Sequence, residues 1–171
     1  MSQTPSKPSV PGDLEFRYEV VPADRELVGA IVVSTGFFNA AEVDVAEELV
    51  DERLVKGALS GYHFVFIARQ GKTLGYTCYG PIAGTAASYD LYWIAVHNDY
   101  RGQGLGRILL KESERLVAEA LGQRVYIETS NHAHYEPTRA FYDRCGYRVE
   151  AILKDFYAPG DDKMILVKTL P

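Results

Sequence analysis

A chain of 171 residues, 47% hydrophobic and 24% charged, has the composition of one globular domain with room for a sizeable core. Its net charge of −5 argues against nucleic acid as a partner and suits a cationic or amine-bearing one. No apolar run nears the ~20 residues that span a bilayer, so no membrane partner is expected.

The first ten residues lack the apolar stretch of a secretory signal. Two cysteines, Cys78 and Cys145, make neither a disulfide framework nor a metal-ligand spacing, and a reducing cytosol is the expected compartment. Cys145 reads as a small buried hydrophobe beside a helix stop. Residues 1–13, rich in Pro and Ser, read as a disordered tail ahead of a single domain over 14–171. Residues 14–21 alternate as a strand. Pro22-Ala23-Asp24 opens a helix that runs to Thr35 and stops at Gly36. Phe37 and Phe38 precede a second helix over 41–56, in which Val45, Leu49 and Leu54 are set to face the core.

Residues 62–69 and 73–79 predict a hairpin around Gln70-Gly71-Lys72, and a further strand covers 88–96. With no helix between them, these strands make an antiparallel meander. Next come the turn Arg101-Gly102-Gln103-Gly104-Leu105-Gly106-Arg107 and an amphipathic helix over 108–121. Leu105, Leu109, Leu116 and Ala120 share its apolar face, with Arg107, Lys111 and Glu114 off it. The strand over 123–130 therefore runs parallel to the one before the helix. A loop from Asn131 to Pro137 leads into a helix over 138–144, which Gly146 stops. Strands over 147–156 and 163–169 close the chain as a hairpin.

Strand, glycine-rich turn and helix N-terminus together make an anion site. Glycines let backbone N–H groups converge, and the helix dipole favours negative charge there. A ligand phosphate is the natural guest. No Gly-Lys-Ser/Thr ends the turn, so it is not a P-loop. The spacing of Gly102, Gly104 and Gly106 is not the dinucleotide fingerprint either. Glu128, about 20 residues on, nevertheless keeps a dinucleotide-binding oxidoreductase as an alternative.

Arg101-x-x-Gly104-x-Gly106 after Ile94-Ala95-Val96 resembles the acetyl-CoA motif of the GNAT superfamily of N-acetyltransferases. Phe141-Tyr142-Asp143-Arg144-Cys145-Gly146-Tyr147 is similar to the family's later helix end. Asp155-Phe156-Tyr157 and Gly160-Asp161-Asp162-Lys163-Met164 resemble the C-terminal hairpin of its ribosomal-protein-alanine and N-terminal-amine branch. The resemblance covers roughly 14 to 170 and keeps the family's order. It implies an α/β GNAT fold, in which a mixed, mostly antiparallel central sheet with a splayed parallel strand pair is flanked by helices. It also implies acetyl-CoA as cofactor. Ile94, Ala95 and Val96 would contact the pantetheine arm. Gly102, Gln103, Gly104, Leu105, Gly106 and Arg107, headed by Arg101, would wrap the pyrophosphate.

Direct acetyl transfer needs a neutral amine, although an α-amine titrates near 8 and a lysine-type amine near ~10.4. By the resemblance, Tyr142 serves the leaving sulfur and Glu128 takes the proton. A glutamate in an otherwise apolar strand has a raised pKa if buried, and otherwise pairs with an arginine such as Arg124 or Arg148. Asp90 is the rival base, placed on a face shared with Tyr92, Ile94 and Val96. His132 and His134 read as loop surface. Where the branch carries an asparagine, seven residues before the tyrosine, this chain has Tyr135, with Asn131 four residues earlier; both are candidate cofactor contacts. Phe37, Phe38 and Tyr157 are candidate acceptor contacts. The acceptor is then a primary amine, of a protein N-terminus or of a small amino acid such as D-alanine. An acyl-CoA sensor without turnover is the alternative in kind, and a homodimer is compatible with the chain.

Overall fold

The structure, a computed structural model, describes residues 12–171. All but the last two residues of the expected tail lie outside them. Seven strands form one sheet: β1 (Leu14–Arg17), β2 (His63–Arg69), β3 (Lys72–Pro81), β4 (Ser88–Val96), β5 (Arg124–Ser130), β6 (Arg148–Ala158) and β7 (Asp161–Thr169). Their order is β1-β2-β3-β4-β5-β7-β6, and only β4 and β5 run parallel. The helices are α1 (Asp24–Ser34), α2 (Ala40–Lys56), α3 (Leu105–Glu119) and α4 (Glu136–Arg144). None is long and apolar enough to cross a membrane.

The elements form where local chemistry directs them. Gln70 and Gly71 both have positive φ, the two-residue turn that matches strand twist, so β2 and β3 pair closely. Asn39 and Glu42 make a reciprocal capping box and start α2 at Ala40. β1 stops earlier than expected. Arg17 grips both carboxylate oxygens of buried Asp24, at 2.7 and 2.6 Å, and draws the chain off the sheet into α1.

Two apolar layers result, one on each face of the sheet. α3 and Tyr142 of α4 pack on Val65, Ile67, Leu91, Val125, Ile127 and Leu166. α1 and α2 pack on Phe64, Phe66, Tyr76 and Cys78 through Val28, Ile31, Val32, Ala46 and Val50. The α2 stripe therefore differs from the expected one, because Val45 and Leu54 are exposed. On α3, Glu114 is not a solvated residue. Tyr147 donates a hydrogen bond to it at 3.1 Å and Lys168 at 2.6 Å. Ala120 lies past the helix end and is exposed.

Two irregularities in β4 position the site. First, β3 pairs Cys78 with Trp93 and Tyr79 with Leu91, so Tyr92 is an extra, bulged residue. The bulge breaks the alternation expected for Asp90, Tyr92, Ile94 and Val96. Ile94 and Val96 pack on the α3 side, while Trp93 and Ala95 pack on the α1–α2 side. Second, β4 and β5 pair only from Ser88–Arg124 to Asp90–Tyr126. Beyond that point the two strands part.

Candidate active site

The gap between the parted strands is the floor of a cleft of about 1030 Å³. Ile94, Ala95 and Val96 line one wall, and Glu128, Thr129 and Ser130 line the other. The edge of β4 facing β5 has no strand partner there, so its backbone groups are available to an extended ligand.

At the wide end stands the glycine-rich turn, with Arg101, Gly102, Gly104, Leu105, Gly106 and Arg107 lining the cleft. Gly104 caps α3 with φ +77°, a left-handed conformation that a side chain resists. Among the described residues, none of the backbone N–H groups from Gly102 to Arg107 has an acceptor; the first α3 hydrogen bond is Ile108 N–H to Gly104 C=O, at 3.1 Å. A run of free donors at a helix N-terminus is chemistry for a phosphate. Gln103 contributes backbone only. Its side chain turns away from the cleft, where its amide oxygen lies 3.4 Å from an Arg69 guanidinium nitrogen.

Tyr142 lies across the cleft on α4 and is 5% exposed. Burial, and then Cys145, push its phenol well above the ordinary 10.0, so it stays protonated. No described residue hydrogen-bonds its hydroxyl, which leaves it free to donate into the cleft. Phe141 and Thr129 also line the cleft and were not singled out in the sequence, and Cys145, read there as a small buried hydrophobe, lines it too. Phe141 and Cys145 flank Tyr142 at helical spacing, a signal the sequence did contain. Cys145 is half-buried, and burial pushes its thiol up too.

Glu128 lines the cleft from the β5 wall but is not buried, with 52% of its side chain exposed. Its partner is Lys163 on β7, rather than Arg124 or Arg148. β7 lies between β5 and β6, which brings Lys163 diagonally opposite Glu128. Asp90 sits near Glu128 but does not line the cleft, because it belongs to the paired base of the two strands. Burial, and then the Glu128 charge, push its carboxyl up, with Lys163 opposing.

Asn131 is not on the cleft either. Its amide donates to Asp162 at 2.9 Å and accepts the Asp162 N–H at 2.9 Å, pinning β5 to the β6–β7 turn. Tyr135, Phe37, Phe38 and Tyr157 do line it. Phe37 packs at a tilt against His134 with ring centroids 4.4 Å apart and lies under the Arg101 guanidinium. His134 is exposed, as its loop-surface reading has it, and packs on Phe37 from there. Phe38 meets Trp93 edge-on at 4.9 Å. Tyr92, read on the face of Asp90, and Trp93, not singled out, both line the cleft, and the bulge that aims them has no sequence signal.

A sheet that opens beside a bulge, with a phosphate-type turn at its mouth, defines a class of α/β fold suited to a long ligand that carries phosphate. Residues 60–149 match the acetyltransferase (GNAT) domain. A crystal structure of a GNAT-family protein from Desulfovibrio desulfuricans is 49% identical, with a TM-score of 0.90, covering 91% of this chain and 98% of that one. An uncharacterized N-acetyltransferase of Methanocaldococcus jannaschii is 28% identical over 144 residues, 78% of this chain and 90% of its own length. A paia N-acetyltransferase from Thermoplasma acidophilum, crystallised with coenzyme A, shares the fold at a TM-score of 0.70 and 18% identity, over 92% of this chain and 99% of that one. The chain belongs to the GNAT family of acetyltransferases. The oxidoreductase alternative falls with that assignment.

Proposed function

We propose that the chain moves the acetyl group of acetyl-CoA directly to a primary amine, of a protein N-terminus or of a small amine. One observation carries the reading: the unpartnered hydroxyl of buried Tyr142 faces the same cleft as the free N–H groups of Gly102–Arg107. The residues suit such a guest. Open space at Gly102 and Gly104 admits phosphate oxygens up to the backbone, and the parted strands suit a long, thin arm of amides.

When bound, acetyl-CoA supplies the activated acetyl group on sulfur. The N–H groups of the turn, with Arg101 and Arg107, balance phosphate charge at the helix N-terminus. Ile94, Ala95 and Val96 offer the unpaired edge of β4 to the arm. Glu128 takes the proton that the acceptor ammonium must lose before its nitrogen can attack. As the new C–N bond forms and the C–S bond breaks, the Tyr142 hydroxyl donates to the departing sulfur.

Tyr142→Phe is expected to lower kcat about 100-fold while the Kd for acetyl-CoA changes less than about twofold. Thiol release and calorimetry read the two quantities. Unchanged turnover would remove Tyr142 from the chemistry.

A further inference from the structure

The transfer reading leaves the acceptor open, and the charge lining the cleft narrows it. The cleft has two electrostatic ends. Arg101, Arg107 and Arg144 line the end at the glycine turn. Away from the turn, the lining carboxylates are Glu42 of α2, Glu128 of β5 and Asp161 of β7. Tyr157 stands among all three. After burial, its phenol is pushed up by Glu128 and Asp161, and also by Glu42. Asp90 adds a fourth carboxyl behind Glu128.

Cations at this end are few. Lys163 is paired with Glu128, and its ammonium lies over the Phe156 ring at 4.4 Å. Among the described residues, no lysine or arginine lines the cleft there. The remaining wall is aromatic, from Phe38, Tyr92, Trp93 and Tyr157. Aromatic faces beside carboxylates hold ammonium and guanidinium groups well.

A free amino acid carries its own carboxylate beside the reacting nitrogen. Here that carboxylate would face Glu128 and Asp161, while the arginines that line the cleft are those grouped at the turn, Arg101, Arg107 and Arg144. Like charges at such range in a partly desolvated cleft weaken binding steeply. Yet the reacting point itself is well made, because Tyr142, 5% exposed and with no hydrogen-bond partner on its hydroxyl among the described residues, lines this same cleft. We infer that the acceptor is an oligocationic amine, with its reacting nitrogen toward Glu128, further positive charge against Asp161 and Glu42, and no carboxylate close to that nitrogen. The inference rests on the transfer reading and excludes free D-alanine as the preferred acceptor.

Two sources share this chemistry, a polyamine and the amidated start of a lysine-rich peptide. Calorimetry on the full chain loaded with coenzyme A separates them, with spermidine, an amidated lysine-rich tripeptide and D-alanine as probes. One cationic probe is expected to bind ~100-fold more tightly than D-alanine and to weaken as salt is raised. Asp161→Asn is expected to loosen that probe about tenfold, and Asp161→Glu, which keeps the charge, to restore it. D-alanine binding as tightly as the cations would overturn the inference, as would Asp161→Asn affecting D-alanine and cation alike. Thiol release with acetyl-CoA is measured alongside. Salt-sensitive cation binding without thiol release in any arm upholds the charge selection and overturns the transfer reading. Fast release with D-alanine does the reverse.

Discussion

Tyr142 combines two properties that suit the proton donor proposed for the transfer. It is buried among core side chains, and it nonetheless lines the cleft, with no described residue hydrogen-bonding its hydroxyl. Because burial raises its pKa, the phenol is protonated at every pH below its ordinary 10.0. The kcat profile should then show no alkaline loss below 10.0 that Tyr142→Phe removes; such a limb would mean a more exposed phenol. Gly104 is the second decisive residue. At φ +77° an alanine strains the backbone, and its methyl enters the space where the turn's N–H groups converge. Gly104→Ala should cost roughly 1–2 kcal/mol of stability and raise the Kd for acetyl-CoA several-fold. Urea titration and calorimetry check the two effects.

Among the elements, the β6–β7 hairpin is held by one carboxylate. Asp162 accepts from Lys154 at 2.8 Å, from the Asp155 N–H at 2.9 Å and from the Asn131 amide at 2.9 Å. The Lys154 contact, followed by the Asp155 N–H, holds its pKa below the ordinary 3.8. A carboxylate depressed in this way stabilises the fold above its unfolded pKa. That contribution disappears as pH falls through the lowered folded value. Asp162→Asn should lower the urea midpoint at neutral pH and lose less than the parent chain on acidification below 3.8. An equal acid loss in both chains would place the linkage elsewhere. The same contacts explain why Asn131 is unavailable to the cleft, since its side chain is occupied in tying β5 to this hairpin.

For the whole molecule, the cleft lies between the two halves of the sheet, β1 to β4 on one side and β5 to β7 on the other. Backbone hydrogen bonds join them at the short β4–β5 pairing and just before it, from Gln123 and Arg124 to Ala87. A ligand that completes the free edge of β4 should therefore couple the halves. At 100-fold excess over its Kd, acetyl-CoA should add about 2.7 kcal/mol and raise Tm by ~5–10 °C. A thermal scan with and without ligand tests this. A rise no larger with acetyl-CoA than with adenosine diphosphate would show that the arm does not bridge the strands.

The sequence by itself determined the elements, the parallel pair and the turn. Each depends on neighbours in the chain: Gly102 and Gly104 permit the turn, Asn39 and Glu42 start a helix, and Gly71 closes a hairpin. The motif around Tyr142 was legible for the same reason. What only the tertiary structure decided depends on distant strands meeting. The Tyr92 bulge appears only against β3, and it swings Trp93 to the opposite face from Leu91. The insertion of β7 between β5 and β6 gave Glu128 its lysine and left it half exposed rather than buried. Hydrogen bonding across the sheet costs or stabilises according to partners that lie tens of residues away. The charge at the acceptor end, assembled from α2, β5 and β7, therefore had no local signature to read.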